Sequence, residues 1–164
     1  MDCPLTFTFA HTVSGPGFVA RVTLTGRALA RREDDGLLWV YGVRPGAVAA
    51  CGPDLAAACR EHRDTCAGVL DDAAEGASDF DGFEIEAERF VLKEDAVERA
   101  RWDAAVEALR SGTAHPEPWC DALPKERRGV RTCGVRAARL DSQTVGPTAS
   151  VHEERGDYRI ADPG

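Results

Sequence analysis

The amino-acid sequence predicts an α+β fold: a small, mostly antiparallel sheet of roughly three to five strands, one main packed helix, a second helix and an irregular C-terminal tail. Three observations lead there. Phe18, Ala20, Val22 and Leu24 alternate with Val19, Arg21, Thr23 and Thr25, the period of a half-buried strand. Leu55, Cys59, His62, Cys66, Val69 and Leu70 recur mostly at steps of three and four, the period of a one-faced helix. After Gly112 the periodicity fades and Pro, Gly and charged residues accumulate. The expected organisation is therefore an α+β unit over residues 1–112 and a tail over residues 113–164 with short strands at most.

The elements follow in order. Leu5–Phe9 alternates and reads as a short strand. Ser14-Gly15-Pro16-Gly17 is a turn cluster, and the strand from Phe18 follows it, with Gly26 marking a bulge or bend. Glu33-Asp34-Asp35-Gly36 is a polar hairpin connection. Leu37–Val43 is apolar on both parities, which predicts a central strand covered on two sides, by the main helix on one face and by a dimer partner or the second helix on the other. Arg44-Pro45-Gly46 turns the chain into a short strand over Ala47–Cys51. Gly52-Pro53-Asp54 opens the main helix, with proline suited to the first turn and aspartate to the positive helix end. The helix is expected to stop near Gly76. Ser78–Gly82 reads as a turn. Phe83, Ile85 and Ala87 against Glu84, Glu86 and Glu88 form the cleanest period-two pattern in the chain and predict a strand over Phe83–Phe90. A second helix is expected over Glu94–Arg110, stopped by Ser111-Gly112, with Val97, Trp102, Ala105, Val106 and Leu109 on its apolar side. In the tail, Val130–Leu140 and Tyr158–Ile160 are the candidate short strands.

Composition narrows the function classes. The chain has 164 residues and is 43% hydrophobic, enough for one core. Its formal net charge of -8 argues against general nucleic-acid binding, since phosphate attraction dominates that affinity. The exception is local: Lys125, Arg127, Arg128, Arg131, Arg136 and Arg139 form a basic stretch. Nucleic-acid contact is left open on that account. No apolar run reaches bilayer length, so no membrane role is expected. Asp2, Cys3 and Pro4 replace the basic start of a secretory leader, and the cysteines show no paired spacing. Reduced thiols and a cytoplasmic location are the simplest expectation.

The run through Val43, Pro45-Gly46, a short strand, Gly52, Asp54, Leu55 and Ala58 resembles the HicB antitoxin-like domain over about Phe18–Phe90. The resemblance implies a partial RNase H-like layer of three or four strands on one main helix, usually dimeric. It also implies a partner, a small basic RNA-cleaving toxin whose active site is masked. The family often carries a C-terminal DNA-binding element, for which the tail here offers no helix pair.

Candidate chemistry is sparse. Cys59, His62 and Cys66 share a helix face, with Cys51 near in sequence, a possible zinc set set against simple core packing. Packing is the expectation, because the three coincide with the apolar stripe. Glu84, Glu86 and Glu88 would project from one strand face about 7 Å apart. They are the candidate partner-binding residues, steering a basic protein. A divalent-metal nuclease would require further carboxylates from other strands. Arg127, Arg128 and Arg131 are the second choice for contact with a partner or nucleic acid. No catalytic set, metal or cofactor is expected. The functional expectation is a non-enzymatic, homodimeric interaction domain of antitoxin type. The alternative is an accessory or scaffold subunit of a bacterial assembly or defence system.

Overall fold

The computed structural model describes residues 1–125, 132–140 and 157–161. The elements run β1 (Cys3–Gly15), β2 (Phe18–Arg32), β3 (Leu38–Arg44), β4 (Ala49–Gly52), α1 (Leu55–Gly76), α2 (Phe80–Leu92), α3 (Ala96–Arg110), β5 (Gly134–Arg139) and β6 (Asp157–Ile160). A short 3-10 turn spans Cys120–Ala122. The fold is α+β, with a single antiparallel sheet of six strands.

The sheet is organised on the β1–β2 hairpin. Cys3 to Gly15 pairs with Ala30 to Phe18 without interruption, closed by Pro16-Gly17. Gly17 sits at φ 76°, a left-handed backbone that glycine adopts without side-chain strain. Strand order is β4-β3-β2-β1-β6, while β5 lies against the first half of β2 and β3 against the second. The β2–β3 register shifts between Arg27 and Ala28, next to the glycine expected to mark a bend. A Cβ on Gly26 would press on the Arg44 carbonyl and the Phe7 ring, so that position has no room for a side chain.

One face of the sheet carries the main core. Leu5, Phe7, Phe9, Phe18, Ala20, Val22, Leu24, Leu38 and Val40 are buried there under α1 and α2. Asp54 caps α1, its side chain accepting from the Ala57 amide, and α1 buries Leu55, Ala58, Cys59, His62, Cys66, Leu70 and Ala74. Val69 is only half-buried. The opposite face is partly covered by α3, which packs Ala105 and Trp102 on Leu29 and Val43. The Trp102 indole donates to the Leu5 carbonyl at 3.3 Å, and Arg31 reaches Glu98 at 3.0 Å.

Four expectations are corrected. Phe83–Phe90 is not a strand. It lies inside α2, which Asp79 caps by accepting from the Gly82 amide. Phe83, Ala87 and Val91, at steps of four, carry the burial, and Ile85, read as inward, is 58% exposed. The turn expected over Ser78–Gly82 is the cap and first turn of this helix. Second, β3 is not the sheet centre, because β4 lies beyond it and β1 and β2 hold the middle. Leu38 and Val40 face the core, whereas Trp39 and Tyr41 stack at 5.9 Å on a half-open face beneath Arg31. Third, the sheet has more strands than expected, since both candidate segments of the tail pair into it as β5 and β6. Fourth, not all thiols are reduced: Cys3 and Cys120 form a disulfide, tying β1 to the 3-10 turn across 117 residues.

Candidate partner-binding surface

The helix α2 separates the three glutamates that an extended strand would have aligned. Successive helical residues turn by about 100°, so positions two apart point away from each other and positions four apart share a side. Glu84 and Glu88 therefore flank one side of α2. Glu86 turns to another and makes an ion pair with Arg89. Neither Glu84 nor Glu88 has an ion-pair or hydrogen-bond partner among the described residues.

The outward face of α2 has a definite pattern. Asp81, Ile85, Glu88 and Leu92 follow one another at steps of four, three and four, a single stripe along the axis. Ile85 is 58% exposed and Leu92 43% exposed. The inner face anchors this stripe rigidly. The Phe18 ring meets Phe80 at 5.7 Å and Phe83 at 5.6 Å between centroids, and Ala87 and Val91 are fully buried. The result is a ridge of exposed apolar side chains interleaved with carboxylates.

The second-choice residues Arg127, Arg128 and Arg131 lie outside the described residues. Of the same basic stretch, Arg139 on β5 donates to the Gly17 carbonyl at 3.1 Å.

Cys59, His62 and Cys66 do come together, in the core. All three are buried. Burial pushes both thiols up to about 12, so they stay protonated and are neither nucleophiles nor ready ligands. Burial likewise lowers His62 to about 4. Its Nδ1 shares a 2.7 Å hydrogen bond with the Tyr158 hydroxyl of β6, and its Nε2 has no partner among the described residues. Its ring lies nearly perpendicular to that of Phe7, with the centroids 5.3 Å apart. Among the described residues, no group of three or more His, Cys, Asp or Glu is placed to hold a metal ion. His11 shares a 2.8 Å contact with Asp71 from β1 to α1.

A feature not foreseen from the sequence is a cleft of about 840 Å³ between α1 and the β6 edge of the sheet. Arg60 and Arg63 of α1, Tyr158 and Arg159 of β6, and Leu123-Pro124 contribute to its lining. The Arg60/Arg63 spacing is visible in the sequence. The arrival of Arg159, close to the end of the chain, is not.

No helix among the described residues is long and apolar enough to cross a membrane. Comparison with protein-family models, curated proteins and solved structures finds no match for the chain.

Proposed function

We propose that this chain is a non-enzymatic protein-interaction domain that masks a basic partner protein in the manner of HicB-type antitoxins, using the outward ridge of α2. The observation that carries this reading is the Asp81–Ile85–Glu88–Leu92 stripe, exposed apolar groups interleaved with carboxylates, with Glu84 beside it. A contiguous exposed apolar surface rimmed by polar groups suits coverage by a partner. Unpaired carboxylates beside that surface favour a cationic rim on that partner, speeding encounter and rejecting acidic competitors. A second copy of the same chain is a poor occupant, because two such stripes would oppose like charges. The HicB comparison draws its support from β3, the Pro45-Gly46 turn, β4, Gly52 and the Asp54-capped α1, which follow in the expected order. It receives none from α2, which stands where that comparison implies a strand.

The test is recovery of a partner from the source cells with the full chain as bait, wild type against Ile85→Asp combined with Glu88→Lys. The expected outcome is a small basic protein held at fixed stoichiometry by the wild type and lost with the variant. The variant's thermal stability should stay within about 0.5 kcal/mol of wild type, since both positions are exposed. Equal recovery of that protein by both baits removes α2 from the reading. Recovery of no basic protein by the wild type removes the reading itself.

A further inference from the structure

The cleft between α1 and β6 has two unlike halves. One half is charged, with Arg60 and Arg63 contributed by α1 and Asp157 and Arg159 by β6. Arg63 pairs with Asp64 at 3.0 Å and Arg159 with Asp157 at 2.9 Å, whereas Arg60 is exposed and has no ion-pair partner among the described residues. Arg60 thus brings to the cleft a positive charge that no carboxylate among the described residues pairs, on a chain whose net charge is -8. Asp64 is 56% exposed and Asp157 42% exposed, and ion pairs to carboxylates this open exchange partners readily. The other half is apolar, formed by Leu123, Pro124 and the body of Tyr158. The volume of about 840 Å³ lies within the range of small-molecule sites. The floor is rigid, because the Tyr158 hydroxyl is fixed by His62 beneath it.

We infer that this cleft binds a small organic anion, a carboxylate or phosphate carried on an apolar chain, with the head group between Arg60 and Arg63 and the body on Leu123-Pro124. Guanidinium groups recognise both head groups by charge-assisted, planar hydrogen bonding. The cleft is separate from the α2 ridge: α2 packs with β2 and β5, at the other side of the sheet from β6. The inference therefore stands independently of the partner-masking reading.

The experiment is displacement of a fluorescent anionic probe, anilinonaphthalene sulfonate, from the full-length chain. Three competitors share one octyl body: nonanoate, octyl phosphate and the neutral octanol. Near-UV circular dichroism verifies that each variant keeps its tertiary packing. Saturable probe binding is expected, displaced by at least one of the two anions and not by octanol at the same concentration. Which anion displaces it identifies the head group. Arg60→Glu should weaken the effective anion by about tenfold or more, the loss expected for one charged contact. Arg63→Gln should act in the same direction, and Arg99→Gln on α3 should have no effect. Absence of saturable binding, displacement by octanol equal to that by the anions, or indifference to both Arg60→Glu and Arg63→Gln overturns the inference.

Discussion

Protonation of His62 should destabilise this protein from the inside. The imidazole is fully buried on the inner face of α1, with the Tyr158 hydroxyl on Nδ1, the Phe7 ring beside it, and the Cys59 and Cys66 thiols on its own helix. None of these neighbours carries a negative charge near neutral pH, because both thiols and the Tyr158 phenol are pushed up by burial. An imidazolium would have no counter-charge there, so burial lowers the folded value to about 4, against 6.5 for the free side chain. The sign follows. Above pH 6.5 the ring is neutral in both states and its full contribution to stability is present. Between 6.5 and 4 the unfolded chain binds a proton that the folded chain refuses, so stability falls with pH. At 1.36 kcal/mol for each unit of pKa difference, the loss is about 3 kcal/mol by pH 4. That is a large fraction of a typical domain's stability. The assay is urea unfolding at several pH values for the wild type and for His62→Gln, which cannot titrate. Carboxylates contribute to the pH dependence of both proteins alike, so the difference isolates His62. The wild-type curve should be steeper by up to one proton across this window. Parallel curves, or a His62 titration near 6.5 by NMR in the folded protein, would refute the argument.

Other perturbations follow from the same structure. Reduction of the Cys3–Cys120 bond releases a closure of 117 residues, worth up to about 4–5 kcal/mol on the chain-entropy scale. Under non-reducing denaturing conditions the chain should titrate four thiols, Cys51, Cys59, Cys66 and Cys133, and six after reduction. The melting temperature should fall on reduction, and a count of six without reductant would contradict the bridge. Gly26→Ala should cost about 1–3 kcal/mol in chemical unfolding, because the new methyl meets the Arg44 backbone and the Phe7 ring, and a neutral result would mean that the β2–β3 shift relaxes freely.

How legible the fold was depended on the reach of each signal. The β1–β2 hairpin and α1 were readable because their causes are local: alternation, a Pro-Gly turn, and an aspartate at the N-cap. The Phe83–Phe90 segment was ambiguous on its own terms. Its apolar residues fit a period of two through Phe83, Ile85 and Ala87, and a spacing of four through Phe83, Ala87 and Val91. The aspartate at position 79, three residues before the amide it caps, and the three glutamates were the signals that favoured helix. Taking Ile85 as inward hid the exposed ridge and put Glu84, Glu86 and Glu88 on one face, whereas the helix turns Glu86 away from the other two. Trp39 and Tyr41 misled in the same way: apolar character on both parities suggested a buried centre, yet the two stack on a half-open face with Arg31 over Tyr41.

The sequence by itself determined where apolar groups repeat and where the chain must turn, and hence an antiparallel layer sealed by one capped helix. Those are properties of residues a few positions apart, and propensity and periodicity act at that range. Only the tertiary structure decided that Tyr158 closes over His62, that Cys3 meets Cys120, and that Arg159 joins Arg60 and Arg63 at one cleft. These partners lie roughly a hundred residues apart. Nothing local selects them: Tyr158 and Arg159 arrive because β6 adds to the free edge of β1, and Cys120 arrives on the 3-10 turn that the disulfide ties to that strand.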